Sequence, residues 1–335
     1  MKGATERGRV VMERIESRVL RGNPLNDPHV RTLPVYLPPG YERGNRRYPV
    51  IWALTGFTGS GRMLLNFSHF SEPLDQRLDR LIGEGAMKPC IVAMPDCFTA
   101  LGGSQYVNSS ATGRYEDHLV RELVPHVDRR FRTLAGARHR GVMGKSSGGY
   151  GAMVHGMRHP DVFSAVASHS GDMYFEYCYL PDIPKAATDL HRSGGPAAWL
   201  RHFRSLPRKP HHATLTLNML AMTACYSPSP RKELGFELPF DPVTGELVER
   251  VWRRWLTQDP VRMLPKHARA LKSLRLLFLD AGTRDEWNLH LGARIFSRRA
   301  KALGVKHLHA EFDDGHMDIS YRYDVSLPLV AKAIS

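Results

Sequence analysis

The clearest candidate for chemistry is Ser146, which stands in the middle of the pattern Gly144-Lys145-Ser146-Ser147-Gly148. A short apolar segment, 141–143, precedes this pattern, and small residues at 148–152 follow it. A Gly-x-Ser-x-Gly pattern between a strand and a helix is typical of a sharp turn that holds a serine hydroxyl at a helix N-terminus, where the helix dipole favours negative charge. The flanking glycines avoid Cβ collisions with the strand and the helix. We therefore predict that Ser146 is a nucleophile.

The same residues also end like a phosphate-binding P-loop, because Gly144-Lys145-Ser146 matches the tail of that pattern. The P-loop requires another glycine five residues before Gly144, and position 139 is His139. The nucleotide-binding interpretation therefore fails at a required residue. We expect the side chain of Lys145 to point away from the Ser146 hydroxyl, with contact at the substrate entrance as the alternative.

A serine nucleophile needs a histidine base, and the histidine needs a carboxylate that fixes its tautomer and stabilises its charged form. In folds with this turn, the acid and then the histidine follow the serine, each after a later strand. His316 follows the last predicted strand and is the predicted base, and Asp285 follows the strand before it and is the predicted acid. Glu286 is the adjacent alternative for the acid. Asp280 ends its strand and is expected to be structural.

Acyl transfer also requires N–H donors for the negative charge of the tetrahedral intermediate. One predicted donor is the backbone N–H of Ser147, directly after the nucleophile. The second is expected from the loop Thr55-Gly56-Phe57-Thr58-Gly59, which follows a predicted strand at 48–54. Within that loop, the N–H of Phe57 is the natural candidate.

The spacing of apolar residues predicts strands that alternate with helices, and hence a mostly parallel sheet covered on both faces. The predicted strands are 48–54, 90–94, 141–143, 163–167, 274–279 and 308–312, and the predicted helices lie around 74–82, 119–131, 150–158 and 291–303. The earlier segment 30–38 alternates apolar and other residues, and Pro34 suggests an edge position in an antiparallel N-terminal part of the sheet. We predict a single domain over 1–335.

The alternation of strands and helices breaks between residues 172 and 265, where prolines are frequent and aromatic, methionine and basic residues mix. A structureless loop of this length is improbable in a compact domain, so we predict a partly helical lid over the carboxyl ends of the strands. Met173, Tyr174 and Tyr177 are candidate substrate contacts in it. Apolar residues of this kind pack in a core more often than they bind a ligand.

Composition narrows the class of protein. Of 335 residues, 42% are hydrophobic and 24% are charged, which is enough apolar material for a sizeable core. Charges interrupt the first twenty or so residues, which leaves no apolar segment for a signal peptide, and no later stretch has the length of a membrane span. Four cysteines without a CxxC pair fit a reducing compartment. We therefore expect a cytoplasmic protein with free thiols and no membrane partner.

The formal net charge of +14 is unusual, but the basic residues are spread along the chain with one denser run at 201–212. No nucleic-acid motif accompanies them, so we expect a solvated basic face and no nucleic-acid partner, with attraction of an anionic ligand as the alternative. No metal is expected, because His307 and His309 share a strand face without an evident third ligand. The oligomeric state stays open, a homo-oligomer included.

Together these residues resemble one branch of the α/β-hydrolases, the esterase D or putative esterase family, which includes S-formylglutathione hydrolases, feruloyl esterases, enterochelin esterases and mycolyltransferases. The resemblance runs from about Leu33 to His316, and its carriers are 55–59, Met94-Pro95-Asp96, 114–125, 144–152, 282–285 and Gly315-His316. It implies a triad of Ser146, Asp285 and His316, with oxyanion donors at Phe57 and Ser147. At two elbow positions the chain departs from the family, which more often has an aromatic residue or His at Lys145 and Met or another apolar residue at Ser147.

The predicted function is hydrolysis of a small or aromatic carboxylic ester through an acyl-enzyme, with a small-molecule ester as partner and no cofactor. An acyltransferase with the same triad is the alternative. A binding protein that retains only the fold is the third hypothesis.

Overall fold

The computed structural model describes residues 6–335, and its strands form a central sheet and one small hairpin. The strands are β1 (Arg9–Glu16), β2 (Val30–Leu37), β3 (Val50–Leu54), β4 (Ile91–Ala93), β5 (Asn108–Ser109), β6 (Gly113–Arg114), β7 (Arg140–Lys145), β8 (Ala165–His169), β9 (Leu276–Gly282) and β10 (Leu308–Phe312). Eight of them make one sheet in the order β1-β2-β4-β3-β7-β8-β9-β10. The strands β5 and β6 pair with each other.

The sheet is parallel from β4 to β10, and β1 and β2 add an antiparallel end. This confirms the predicted sheet. The prediction that 30–38 is the edge strand was wrong, because β1 pairs with β2 along its whole length. The ladder between β2 and β4 contains only the pairs Val35–Ala93 and Tyr36–Val92. Pro34 lies just outside that ladder, so its missing N–H breaks no pair.

Helices cover both faces of the sheet. They are α1 (Leu74–Gly83), α2 (Tyr115–Asp117), α3 (Val124–Arg130), α4 (Ser147–Arg158), α5 (Phe175–Cys178), α6 (Ile183–Arg192), α7 (Pro196–Ser205), α8 (Ala213–Tyr226), α9 (Glu249–Leu256), α10 (Pro260–Ser273), α11 (Leu289–Ala302) and α12 (Tyr323–Ile334). A π-helical segment, His118–Leu123, joins α2 to α3. The four helices predicted from apolar spacing are all present, and α4 begins three residues earlier than predicted because the turn at Ser146 leads straight into it.

The core follows from the two faces of the strands. All five residues of β3 are buried, as expected for a strand covered on both sides. Ile51 and Ala53 pack in the apolar cluster that contains residues of α1 and α12. Trp52 and Leu54 pack in the larger cluster on the opposite face. Because β3 ends at Leu54, the next residue lies at the carboxyl edge of the sheet, where the loops that follow the parallel strands meet.

Segment 172–265 is largely helical, as predicted: it contains α5 to α9 and the start of α10. The helix α8 is buried over most of its length and packs on α6. No helix within residues 6–335 is both long and apolar enough to cross a bilayer. The four cysteines are buried free thiols.

A carboxylate ties α2 to the end of α4. Glu116 accepts hydrogen bonds of 2.8 Å from Arg158 and of 2.8 Å from His159. Burial by itself would raise the pKa of Glu116, but the hydrogen bond from His159 and the charge of Arg158 outweigh it and lower the pKa to about 2. A folded-state pKa below the unfolded value means that this carboxylate stabilises the fold above the unfolded pKa, and that the stabilisation disappears as the pH falls towards 2.

We therefore expect Glu116→Gln to lower the free energy of unfolding by about 2 kcal/mol at pH 7. The difference from wild type should shrink as the pH falls from about 4.5 towards about 2. Urea denaturation at a series of pH values measures both effects. A difference that stays constant down to pH 2 would show that Glu116 does not act through its charge.

Candidate active site

Ser146 occupies the turn between β7 and α4 with a backbone of φ 58° and ψ −125°. A positive φ is uncommon for a residue with a Cβ, and such backbones concentrate at functional sites. The N–H of Ser146 donates to the carbonyl of His169 at 2.9 Å, and its carbonyl accepts from the N–H of Tyr150 at 2.9 Å. The strained residue is thus held by the neighbouring strand end and by the first turn of its own helix.

Glycines let the elbow approach the end of β3. A Cβ on Gly148 would lie 2.4 Å from the carbonyl oxygen of Leu54, and one on Gly144 would lie 2.6 Å from the same atom. On the facing loop, a Cβ on Gly56 would lie 3.3 Å from the Cβ of Ser146. The loop 55–59 therefore lies directly against the nucleophile candidate, as the prediction of an oxyanion loop requires.

The structure brings His316 and Asp285 together at the same edge of the sheet. Nδ1 of His316 donates to Oδ2 of Asp285 at 2.8 Å, and both side chains are buried. Glu286, the alternative acid, instead accepts the backbone N–H of His316 at 2.7 Å. The ring of Trp287 packs against the imidazole with a centroid separation of 4.7 Å. Asp285 therefore fixes the imidazole ring of His316, Glu286 fixes its backbone, and the ring of Trp287 packs against it.

Asp285 is held as an anion. Burial alone would raise its pKa, but the hydrogen bond and the charge of His316 outweigh burial, and the pKa of Asp285 lies below its usual range. Its other oxygen, Oδ1, accepts from the backbone N–H of Trp287 at 3.0 Å. A carboxylate in this state can orient an imidazole and stabilise the positive charge that the imidazole acquires as a base.

Asp280, the aspartate that was expected to be structural, hydrogen-bonds to side chains other than His316. It accepts from Nδ1 of His169 at 2.6 Å and from Nε of Arg322 at 2.9 Å. Nε2 of His169 in turn contacts the hydroxyl of Ser326 in α12 at 2.7 Å. His169 is 0% exposed and Asp280 is 1% exposed, so this serine–histidine–aspartate arrangement is sealed from substrate and fastens α12 to the sheet.

One predicted oxyanion donor, Ser147, follows Ser146 in the elbow, and the other, Phe57, belongs to the loop that lies against it. The N–H groups of Phe57 and Ser147 have no hydrogen-bond acceptor in the part of the chain that the structure describes. The ring of Phe57 packs on Gly102, where a Cβ would lie 2.7 Å from it. The hydroxyl of Tyr106 holds the start of the loop, because it accepts from the N–H of Thr55 at 2.8 Å and donates to the carbonyl of Thr55 at 2.8 Å.

The predicted substrate contacts are placed unequally. Met173 is 1% exposed and packs in the core, so its side chain offers almost no surface to a ligand. Tyr177 is 41% exposed, and its ring lies 4.6 Å from that of the partly buried Tyr174. The two tyrosines therefore present surface to solvent, whereas Met173 does not.

Lys145 lies at the rim of the site. It ends β7 partly buried, and its Nζ is 4.0 Å from Sδ of Met317, the residue after His316. Burial lowers the pKa of Lys145, against the opposing effect of carboxylates led by Asp285. The ammonium therefore reaches the loop of the predicted base.

Tyr106 and Trp287 were not predicted from the sequence. Trp287 follows Asp285 and Glu286 directly. This position next to the predicted acid was the only local indication that Trp287 belongs to the site. Tyr106 lies in a glycine-rich loop far from the Thr55 that it holds, and no local pattern indicates that contact.

Two cavities of about 330 and 370 Å³ lie among α6, α7 and α8. Their walls include His202, Phe203 and His212 from the basic run 201–212. Neither cavity is lined by Ser146, Asp285 or His316. They are surface features of segment 172–265 and are separate from the site.

Comparison with known families agrees with this geometry. The model of the family described as "Putative esterase" matches residues 28–322, which include the elbow, the acid and the histidine. The chain belongs to this esterase family. Its members are named for the hydrolysis of esters, and the match covers most of the chain.

Two curated relatives of this family member match over less than half of this chain. An esterase of Mycobacterium tuberculosis is 31% identical over 138 residues, which cover 41% of this chain and 28% of the relative. A xylanase/feruloyl esterase of Xylanibacter ruminicola is 29% identical over 153 residues, which cover 43% of this chain and 20% of the relative. The chain thus matches less than a third of either relative's length.

Solved structures share the fold of this esterase. An S-formylglutathione hydrolase from Agrobacterium tumefaciens superposes with a TM-score of 0.62 at 16% identity, covering 98% of this chain and 96% of the other. A ferulic acid esterase superposes with a TM-score of 0.58 at 20% identity, covering 98% and 99%. At these identities the likeness shows the α/β-hydrolase fold alone.

The clamp on Thr55 gives a prediction for the esterase fold. We expect Tyr106→Phe to lower the free energy of unfolding by about 1–3 kcal/mol, because it leaves two buried backbone groups of Thr55 without a partner. Urea denaturation measures the change. Tyr321→Phe is the matched control and should leave the free energy of unfolding nearly unchanged, because its hydroxyl is exposed and donates to the side chain of Asp314. Equal stability of Tyr106→Phe and wild type would show that the hydroxyl does not hold the loop.

Proposed function

We propose that this protein is a serine carboxylesterase in which Ser146, His316 and Asp285 form the catalytic triad. The observation that carries the proposal is the 2.8 Å hydrogen bond from His316 to Asp285, at the sheet edge where Ser146 stands in a strained elbow. Membership of the esterase family supports the same activity. The relatives named as feruloyl or ferulic acid esterases and as S-formylglutathione hydrolase favour an aromatic or a small acyl group in the substrate.

The proposed reaction has two steps. Ser146 attacks the ester carbonyl while His316 takes the hydroxyl proton, and Asp285 stabilises the resulting imidazolium. The N–H groups of Phe57 and Ser147 stabilise the oxyanion, and His316 returns the proton to the departing alcohol. Water then attacks the acyl-enzyme and gives a proton to His316, and His316 passes this proton to the oxygen of Ser146 as the carboxylic acid leaves. Side chains of this chain supply every proton transfer, so no cofactor is needed.

We also propose that the whole chain acts as one domain and that segment 172–265 is a lid over the site. Support comes from its position, since it begins directly after β8, next to the strand that carries Ser146. Asp259, near its end, accepts the N–H of Tyr174 at 3.0 Å and that of Phe175 at 3.1 Å. The two ends of the segment are thereby tied together beside Tyr174 and Tyr177.

The nucleophile is tested by Ser146→Ala. Turnover of 4-nitrophenyl butyrate should fall by at least about 10⁴-fold, because no other group replaces the attacking oxygen. Labelling by a fluorophosphonate should disappear as well. Ser273→Ala is the control, since its hydroxyl is exposed at the end of α10. Turnover or labelling that survives in Ser146→Ala contradicts the mechanism and points to another nucleophile.

The acid is tested by comparing Asp285→Asn with Glu286→Gln. We expect Asp285→Asn to lower kcat by about 10³–10⁴-fold, because an amide favours the wrong tautomer of the base. Glu286→Gln keeps an acceptor for the backbone N–H of His316, so its loss should be about tenfold or less. Steady-state kinetics on the same ester measures both variants. The reverse order of losses would assign the role of the acid to Glu286.

A further inference from the structure

A buried carboxylate that the proposed mechanism does not use lies beside the site. Asp172 follows the carboxyl end of β8 and is 8% exposed. Its Oδ2 accepts hydrogen bonds of 2.8 Å from the hydroxyl of Tyr179 and of 2.8 Å from Nε2 of Gln105. Within residues 6–335 no donor reaches its Oδ1, and no cationic side chain forms a salt bridge with Asp172. Buried carboxylates normally have such a partner, because removing a charge from water is costly.

Gln105 is also incompletely satisfied. It is 1% exposed, and its Nε2 donates to Asp172 and to the hydroxyl of Tyr226 at 2.9 Å. Its Oε1 is buried and has no hydrogen-bond partner among the described residues. Both Gln105 and Tyr106 have a positive φ, of 51° and 56°. Gln105 is thus held by a strained backbone, its Oε1 lacks a partner, and its Nε2 binds a carboxylate whose Oδ1 lacks a donor. Strain and unsatisfied polar atoms of this kind are more typical of functional residues than of stabilising ones.

Contacts locate this pair next to the reacting groups. A Cβ on Gly171, the residue before Asp172, would lie 2.9 Å from the backbone nitrogen of Tyr150 in the first turn after Ser146. Tyr106, the residue after Gln105, holds Thr55 in the oxyanion loop. Burial raises the pKa of Asp172. The hydrogen bonds from Tyr179 and Gln105 and the charge of His316 oppose this rise but do not cancel it. Through these neighbours the pair is linked both to the elbow and to the oxyanion loop.

The charge around the site points to the type of ligand. Four carboxylates act on the ammonium of Lys145: Asp285, Asp318, Glu286 and Asp172. Asp285 is neutralised by its bond with His316 only when the imidazole is charged. These four carboxylates outnumber the one ammonium on which they act, although the chain carries a formal net charge of +14. An anionic ester would be repelled there, whereas a hydrogen-bond donor or a cation would be attracted.

We propose that Asp172, supported by Gln105, is a specificity-determining residue that accepts a hydrogen bond from a hydroxyl or ammonium group of the ester substrate. This inference rests on the proposed esterase function and names the substrate class: esters with such a donor on the acyl or the alcohol part. The donor of the substrate supplies the partner that Oδ1 lacks. Tyr179 and Gln105 hold the carboxylate in place through Oδ2.

The test compares matched esters with wild type and Asp172→Asn. The acyl series is 4-nitrophenyl heptanoate, 6-hydroxyhexanoate and 6-aminohexanoate, in which a terminal methyl group becomes a hydroxyl or an ammonium. The alcohol series is propyl acetate and 2-hydroxyethyl acetate, followed by acid release. We expect wild type to favour the donor-bearing ester of at least one series by about tenfold in kcat/KM, as for a hydrogen bond to a charged group. In Asp172→Asn the ratio should fall to about one.

The ratio of kcat/KM values within a series does not depend on the fraction of active enzyme. Fluorophosphonate labelling shows that the variant has a folded site, and Asp172→Ser replaces Asp172→Asn if the latter does not label. Asp182→Asn is the matched control, because within residues 6–335 the side chain of that aspartate makes no hydrogen bond with Gln105 or Tyr179, and only its backbone N–H, which the substitution keeps, donates to the carbonyl of Tyr179 at 3.1 Å. Asp182→Asn should keep the substrate preference of wild type.

The outcomes separate the two proposals. If wild type hydrolyses none of the five esters, the esterase function itself fails. If it hydrolyses any of them but prefers no donor-bearing ester, or if Asp172→Asn retains the preference, the role of Asp172 is wrong and the esterase function stands.

Discussion

The left-handed backbone of Ser146 is the constraint on which the site depends. Such a conformation costs about 1–3 kcal/mol and persists only where surrounding structure enforces it. Here the carbonyl of His169 and the N–H of Tyr150 hold it from β8 and α4. Glycines at 144 and 148 allow the elbow to pack on the carbonyl of Leu54, where any Cβ would collide. The same packing brings the loop after β3 against the hydroxyl, so one strained residue fixes both the nucleophile and its oxyanion loop.

The parallel sheet supplies the rest of the arrangement. Loops after β7, β8, β9 and β10 leave the same edge, so residues far apart in the chain meet there without long excursions. Gly282 shows how closely the last two loops pack, because a Cβ on it would lie 2.3 Å from the carbonyl oxygen of Asp314. This contact sets the loop of Asp285 directly against the loop of His316. The geometry of acid and base therefore follows from strand order and from one glycine.

The sequence was sufficient for features that repeat or that follow chain order. Apolar runs predicted the strands of the parallel sheet, and the order serine, acid, histidine selected Asp285 and His316, which the structure brings together. It was insufficient where tertiary contacts decide. The strand β1 was missed because half-exposed charged residues such as Glu13 and Arg14 interrupt its apolar positions, and Pro34 suggested an edge that β1 covers. Tyr106 and Gln105 act on residues about fifty or more positions away, which no local pattern reveals.

Three buried aspartates near the carboxyl edge of the sheet show how differently this fold treats a carboxylate. Both oxygens of Asp259 accept backbone N–H groups, from Tyr174, Val261 and Phe175. Both oxygens of Asp280 contact a nitrogen-bearing side chain, His169 or Arg322. Asp172 alone of these three has donors on one oxygen only, and those donors are neutral. Asp259 and Asp280 have partners on both oxygens, and a donor that arrives with the substrate would complete Asp172 in the same way.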